Sequence, residues 1–166
     1  MIRVQREDFD TGGELANLGR GNLGIGGVCA FVGRVRDMAG EDAIEAMTLE
    51  HYPGMTEKEL SRIEAEAWDR WPLEETLIIH RHGRLEPGDQ IVLVATASAH
   101  RQAAFDACSF LIDWLKTRAP FWKREEGAES AQWVEARAAD DAAAGRWEEP
   151  AKPTKPGKPT KPDKKE

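Results

Sequence analysis

A run of basic and aromatic residues near the end of the folded region has the composition of an anion-binding site. The run is LKTRAPFWKRE, from Leu115 to Glu125, and it contains four cations and two aromatic residues: Lys116, Arg118, Lys123, Arg124, Phe121 and Trp122. Four cations in an acidic chain can neutralise an anionic ligand while an aromatic ring provides an apolar wall. The alternative is a solvated helix end, where cations interact favourably with the helix dipole.

Helical periodicity assigns Lys116 a special position in this run. The apolar residues Phe105, Cys108, Ile112 and Leu115 predict the buried stripe of one helix. Lys116 follows Ile112 by four residues, so we expect it at the buried edge of the stripe. There its ammonium either reaches past the apolar surface to solvent or enters a pocket. A desolvated lysine beside other cations suits acid–base or nucleophilic chemistry.

Two further basic pairs are candidates for binding an anion. His100 and Arg101 lie at the predicted start of the same helix, where free backbone N–H groups favour anions and where arginine is otherwise disfavoured. Arg34 and Arg36 alternate with Val35 on a predicted strand and so share one face. For both pairs an ordinary exposed surface is the competing interpretation, and a basic strand edge can also discourage strand pairing.

Other residue types favour no metal or nucleotide site. His80 and His82 share a face of a predicted strand, but the spacing places no third metal ligand beside them. We therefore interpret His51, His80 and His82 as structural. Cys29 and Cys108 each lie in an apolar run, which predicts small buried hydrophobic residues and no disulfide. The chain also has no glycine-rich phosphate loop and no nucleophile elbow. We therefore expect neither a metal nor a cofactor.

The charge is divided unequally along the 166 residues. The segment 151–166 has six lysines against Asp163 and Glu166, a net +4, so residues 1–150 carry −11 of a total −7. This acidic body argues against nucleic-acid binding. No apolar run approaches the roughly 20 residues needed to cross a bilayer, and no signal region is present, which predicts a cytoplasmic protein that does not enter the membrane. We predict one domain over 1–149 and a disordered Lys/Pro-rich tail over 150–166, either a solubilising extension or a partner-binding arm.

The patterns of the body predict an α+β fold. Residues 26–36 are apolar on both faces, as in a central strand, and 43–51 form a second strand. Thr56 and Glu59 have capping-box spacing before a helix that Pro72 ends. Strands over 77–82 and 91–97 form a hairpin around Pro87-Gly88. Ser98 can cap the next helix, to about residue 118. Short strands over 121–124 and 132–137 and a helix over 138–147 follow.

Six strings in this order resemble the large subunit of molybdopterin synthase. They are FVGRVRD, TLEHYPGMTEKEL, RWPL, HRHGRLEPGDQIVLV, SAHRQAAF and LKTRAPFWKRE, and the resemblance runs from about Gly26 to Trp147. It implies an α/β hammerhead fold with a mostly antiparallel sheet and packed helices. It also implies a sulfurtransferase, the catalytic subunit of molybdopterin synthase in molybdenum cofactor biosynthesis. The Lys/Pro tail has no counterpart in the family pattern.

The resemblance also implies partners and site residues. A homodimer of large subunits would bind a ubiquitin-like small subunit at each end, giving a heterotetramer. The small subunit's C-terminal thiocarboxylate would deliver sulfur to cyclic pyranopterin monophosphate. By motif match, Lys116 and Lys123 are catalytic, and the substrate-binding residues are Arg36, His100, Arg101, Arg124 and Arg137. Because the sulfur arrives already activated on the partner, we expect no cysteine persulfide on Cys29 or Cys108.

Helix length constrains how these residues can meet. Arg101 and Lys116 are 15 residues apart on one predicted helix, and the rise per residue separates them by about 22 Å. One small pterin cannot bridge that distance, so we expect His100 and Arg101 of one chain to complete the pocket of its dimer mate. Two rival functions are a docking module for a ubiquitin-like protein without chemistry and a general anion or nucleotide binder.

Overall fold

The fold consists of two four-stranded sheets with helices packed on the first. The structure is a computed structural model that describes residues 1–36, 44–127, 131–134 and 138–147. Its strands are β1 (Ile2–Gln5), β2 (Gly27–Arg34), β3 (Ile44–His51), β4 (Leu73–Arg81), β5 (Gly83–Leu85), β6 (Gln90–Ser98), β7 (Phe121–Gly127) and β8 (Ala131–Val134). Its helices are α1 (Thr11–Asn17), α2 (Met55–Arg70), α3 (Arg101–Thr117) and α4 (Ala138–Gly145). The expected α+β class with mostly antiparallel strands is confirmed.

The first sheet carries the main core. Its strand order is β1-β4-β6-β2, with β1 parallel to β4 and the other pairs antiparallel. Ile78, Val92 and Val94 face α2 and α3, whereas Leu77, Ile79 and Leu93 face Phe9 and the α1 segment. Strands that are covered on both faces read as continuous apolar runs, as β4 and β6 do.

The second sheet, ordered β5-β3-β7-β8, carries the basic residues of the Leu115–Glu125 run that follow α3. Leu49 of β3 lies opposite Lys123, and His51 lies opposite Phe121. A smaller core of Val35, Met47, Leu49 and Leu85 packs on this face. Gly83 adopts a φ of 89°, which favours glycine, where the chain leaves β4 and enters β5.

Several expectations about individual elements were wrong. The strand predicted as central, β2, is at the edge of its sheet, and its Val28 and Phe31 are exposed. The helix α2 begins at Met55 behind Gly54, whose N–H donates to Glu57 at 2.6 Å; Thr56 is buried within the helix. Glu59 instead pairs with Arg62. The paired strands β4 and β6 are confirmed, but β5 interrupts the simple hairpin.

The two ends of the chain need separate comment. Neither β1 nor α1 was predicted from the sequence pattern. The predicted domain boundary at residue 149 and the tail 150–166 lie outside the described residues. Among the residues that the structure does describe, no helix is both long enough and apolar enough to cross a bilayer.

Candidate active site

Strand β7 holds two basic residues of the candidate site on opposite faces. Lys123 shares a face with Phe121 and Glu125, whereas Arg124 shares the other face with Trp122 and Glu126, because side chains alternate along a strand. Lys123 forms an ion pair with Glu125 on its own strand, and about a third of its side chain is exposed. The ammonium is therefore held near β7 and remains accessible to an anion.

Arg124 belongs to a charged network on the outer face of the second sheet. Its guanidinium donates to Glu126 at 3.2 Å, and Glu126 also accepts from the Thr48 hydroxyl at 3.1 Å and from Arg84 at 3.4 Å. The Thr48 hydrogen bond, followed by Arg84 and Arg124, lowers the pKa of Glu126 from its ordinary value. Arg124 therefore binds the carboxylate of Glu126, on the face of β7 opposite Lys123.

Lys116 extends to solvent, which is one of the two alternatives expected for its ammonium. It lies in the last turn of α3 with a side chain 54% exposed, and its ammonium is 3.3 Å from Asp140 of α4. The buried face of α3 includes Cys108 and Leu115 of the predicted stripe and is completed by Ala103, Ala104, Ala107, Phe110, Leu111 and Trp114. Phe105 is exposed, so the predicted stripe was wrong at that position.

Arg118 has different neighbours from each of the other three cations of the run. Its guanidinium stacks over the Trp114 ring, 3.4 Å from the ring centroid. It also lines a groove with Met55, Lys58 and Arg62 of α2. The four cations of the run are therefore separated: Lys116 faces α4, Lys123 and Arg124 lie on β7, and Arg118 faces α2.

His100 and Arg101 lie at the opposite end of α3 from Lys116. His100 is the N-cap residue, with extended backbone and no side-chain cap hydrogen bond, and both side chains are exposed. Ser98, predicted to cap the helix, instead ends β6; its hydroxyl donates to the Pro72 carbonyl and accepts from the His100 N–H. Because α3 is continuous from Arg101 to Thr117, one chain keeps these two clusters about 22 Å apart.

Of the remaining two candidates, the structure describes one. Arg36 is exposed just beyond β2, and Arg34 is exposed on the strand while Val35 between them is buried. The predicted shared face of the two arginines is consistent with this alternation. Arg137 lies outside the described residues, so its predicted role in substrate binding stays a prediction.

The three histidines meet where β3, β4 and β7 begin or end. The His80 ring stacks on Phe121 with centroids 3.7 Å apart, and the His51 and His82 centroids are 4.4 Å apart. Burial lowers the pKa of His80 to about 4, and burial together with His51 and Arg6 lowers the pKa of His82. Within the described ranges, no group of three or more His, Cys, Asp or Glu side chains is arranged to hold a metal ion.

The two cysteines are neighbours in the core, which their separation in sequence did not indicate. Cys29 of β2 packs against the cluster that contains Cys108 of α3, and both thiols are free. Burial, followed by the charge of Cys29, raises the pKa of the Cys108 thiol. A buried thiol with a raised pKa is a poor nucleophile, so Cys108 is unsuited to carrying sulfur.

Sequence and structural comparisons identify the family. The sequence model of the MoaE protein family matches residues 4–118. A curated relative from Pseudomonas aeruginosa, molybdopterin synthase catalytic subunit, is 62% identical over 148 residues, which cover 89% of this chain and 99% of the relative. The chain belongs to the MoaE family. This membership confirms the resemblance found in the sequence and the expected enzyme class, a catalytic subunit that acts in molybdenum cofactor biosynthesis.

Solved structures of the MoaE fold agree with this assignment. The MoaE protein of molybdopterin biosynthesis from Burkholderia ambifaria is 53% identical, with a TM-score of 0.76 over 89% of this chain and 97% of that one. One chain of a complex of subunits 1 and 2 of molybdopterin-converting factor from Helicobacter pylori is 21% identical, with a TM-score of 0.67 over 82% and 91%. The more distant likeness supports the fold alone.

Proposed function

We propose that this chain accepts sulfur from the C-terminal thiocarboxylate of a ubiquitin-like small subunit and transfers it to cyclic pyranopterin monophosphate. The observation that carries the proposal is the pair of accessible lysines, Lys116 at the end of α3 and Lys123 on β7, in a chain of the MoaE family. The donor and the cyclic phosphate are both anions. Cations that are already oriented toward the developing charge offset the repulsion between them.

The two lysines have different roles in this proposal. Lys116 exchanges a proton as sulfur adds to the pterin and the phosphate ring opens, for which its exposed ammonium leaves Asp140. Lys123 stabilises negative charge on the thiocarboxylate or the phosphate, and Glu125 keeps its ammonium beside β7. Arg36, Arg124 and Arg137 contribute further positive charge for binding the substrate. A docking module without chemistry would not require either lysine.

We further propose that the pocket is shared between two copies of the chain. Support comes from β2, an edge strand whose Val28 and Phe31 are exposed, and from Phe105 near the start of α3. An exposed apolar strand edge is a liability unless it is covered. A second copy packed along this strand edge would bring its His100 and Arg101 toward the Lys116 of its mate, which one chain alone cannot do.

Two observations support our proposal that the chain binds a small subunit: the complex formed by a related protein and the positive charges of the site. The Helicobacter pylori factor is described as a protein–protein complex of two subunits, and we propose a similar assembly for this chain, as a heterotetramer. The catalytic domain would be residues 1–149, with 150–166 outside it.

A conversion assay tests the proposal directly. Purified chain, thiocarboxylated small subunit and cyclic pyranopterin monophosphate are mixed, and the dithiolene product is followed by mass spectrometry. We expect product with the wild-type chain and none when the donor ends in an ordinary carboxylate, because that donor carries no sulfur. A tight complex that gives no product would instead support the docking module.

A further inference from the structure

The residue that follows β2 is fixed to the turn that precedes β6. The Val35 N–H donates to the Asp89 carbonyl at 2.9 Å, and the Val35 carbonyl accepts from the Gly88 N–H at 2.8 Å. The Val35 side chain is buried in the smaller core of the second sheet. Arg36, the next residue along the chain, is exposed. Both the backbone and the side chain of Val35 are therefore held in place immediately before Arg36.

Regular strand pairing ends before Val35, and the turn supplies the hydrogen bonds that a strand partner would otherwise make. The pairing of β2 with β6 ends at Arg34, and a register shift between Gly33 and Arg34 leaves Ile91 of β6 without an opposite residue. Such a bulge disrupts the ladder locally. Buried backbone polar groups need hydrogen-bond partners, and for Val35 the turn provides both. The direction in which the chain leaves β2 is therefore set by the turn.

The conformation of this segment, the 86–89 turn, depends on two of its own residues. The Asp89 N–H donates to the Glu86 carbonyl at 2.9 Å, and the Asp89 carboxylate accepts from the Glu86 N–H at 2.9 Å. Gly88 has a φ of 92°, in the left-handed region that favours glycine, and Pro87 precedes it, as in a type II turn. A side chain at Gly88, or the loss of the Asp89 carboxylate, should therefore change the turn that holds Val35.

We propose that Gly88 and Asp89 are positioning residues that orient Arg36 toward the anionic substrate. They act through Val35, because the 86–89 turn fixes the backbone from which the Arg36 side chain extends. This inference rests on the proposed function, in which Arg36 binds cyclic pyranopterin monophosphate, and deepens it. A long cationic side chain that is already oriented loses less conformational freedom when the ligand binds, so its charge contributes more to affinity.

Binding of the substrate to the full chain tests this role without requiring product. The Kd for cyclic pyranopterin monophosphate is measured by calorimetry in the absence of the small subunit. We expect Gly88→Val and Asp89→Ala each to weaken binding about three- to tenfold, the scale of ordering one long side chain. Asp89→Asn keeps an oxygen that can accept from the Glu86 N–H, so it should bind nearly as tightly as the wild type.

A double-mutant cycle separates positioning from a general loss of structure. If the turn acts only through Arg36, Gly88→Val should have no further effect on the Kd when it is combined with Arg36→Ala. Gly21→Val is the matched control, since Gly21 is exposed and also has a positive φ, of 84°, with open space around an added Cβ in the described part of the chain. It imposes the same backbone strain elsewhere and should bind like the wild type.

The outcomes for the turn and for the proposed function differ. An unchanged Kd in folded Gly88→Val or Asp89→Ala would overturn the inference, as would an equal loss of affinity in the Arg36→Ala background. A wild-type chain that does not bind the pterin would overturn it as well. A wild-type chain that binds the pterin but gives no product in the conversion assay would contradict the proposed function alone, because the effect of the turn on the Kd is still measured.

Discussion

His100 and Lys116 lie at opposite ends of one unbroken helix, His100 as the N-cap of α3 and Lys116 in its last turn. Both are proposed to act in one pocket, yet the helix between them is too long for one small ligand to touch both. Because α3 keeps His100 and Lys116 apart, activity measurements on mixed variants can show whether two copies of the chain share one pocket.

Mixing two inactive variants tests whether the pocket is shared. Lys116→Ala and Arg101→Ala should each be inactive as homodimers. When chains of both variants are combined randomly, half of the dimers are mixed, and one of the two pockets in each mixed dimer has both residues intact. We expect about a quarter of the wild-type activity per chain. If both residues served a pocket within one chain, the mixture would stay inactive.

Lys116 is expected to be required for chemistry rather than for stability. Its ion pair with Asp140 is exposed, and such pairs contribute about 0–1 kcal/mol. Lys116→Ala should therefore lower product formation by about a hundredfold or more while thermal unfolding and the Kd for the small subunit stay near wild type. Asp140→Asn, which releases the ammonium, should keep most of the activity. Near-normal turnover by Lys116→Ala would remove the proposed role.

Folding stability should fall as the solution becomes acidic because His80 is buried in its neutral form. The pKa of His80 is about 4 in the folded protein against 6.5 in the unfolded chain, so the unfolded state binds more protons below pH 6.5. The free energy of unfolding should decrease by about 1.4 kcal/mol per pH unit between pH 6.5 and about 4 from this residue. Urea unfolding at several pH values measures it.

Two substitutions separate the histidine from its surroundings. His80→Phe should remove this part of the pH dependence, because no titrating group remains at the position. Phe121→Leu removes the stacked ring but keeps the buried histidine, so it should lower stability by about 1 kcal/mol and preserve the slope. An unchanged slope in His80→Phe would show that another group causes the acid sensitivity.

Cysteine chemistry is expected to be dispensable. Cys108 is buried and its thiol pKa is raised, and Cys29 packs against the same core. The double variant Cys29→Ala with Cys108→Ala should convert substrate within about twofold of the wild-type rate and lose about 1–2 kcal/mol of stability from the missing sulfur atoms. Loss of activity in a variant that still folds would instead indicate a persulfide intermediate.

Local patterns predicted most of the elements but not how they pack. The apolar runs of β3, β4 and β6 and the length of α3 were recoverable because periodicity and prolines mark them. The full buried face of α3 was not, since Ala103, Ala104 and Ala107 belong to it and small residues give a weak periodic signal. The helix α1 was missed because Gly12 and Gly13 disfavour helix, whereas the Asp10 N-cap and the partly buried Leu15 favour it.

The candidate site was predicted by type of residue and not by geometry. The four cations of the Leu115–Glu125 run stand close in sequence, but α3 and β7 direct them to different surroundings. Asp140 could not be predicted as the partner of Lys116, because the two lie 24 residues apart and meet only in the tertiary structure. Lys58 could not be predicted to line a groove for the same reason.

The short strand β5 connects the first sheet to the second along the chain. The chain passes from β4 in the first sheet through β5 in the second and returns to β6 in the first within nine residues, from 82 to 90. Ile91 of β6 packs against the main core and also against the smaller core of the second sheet, so the two sheets should unfold in a single cooperative calorimetric transition. Ligands bound beside β7 would accordingly delay the melting of β4 and β6, which they never touch.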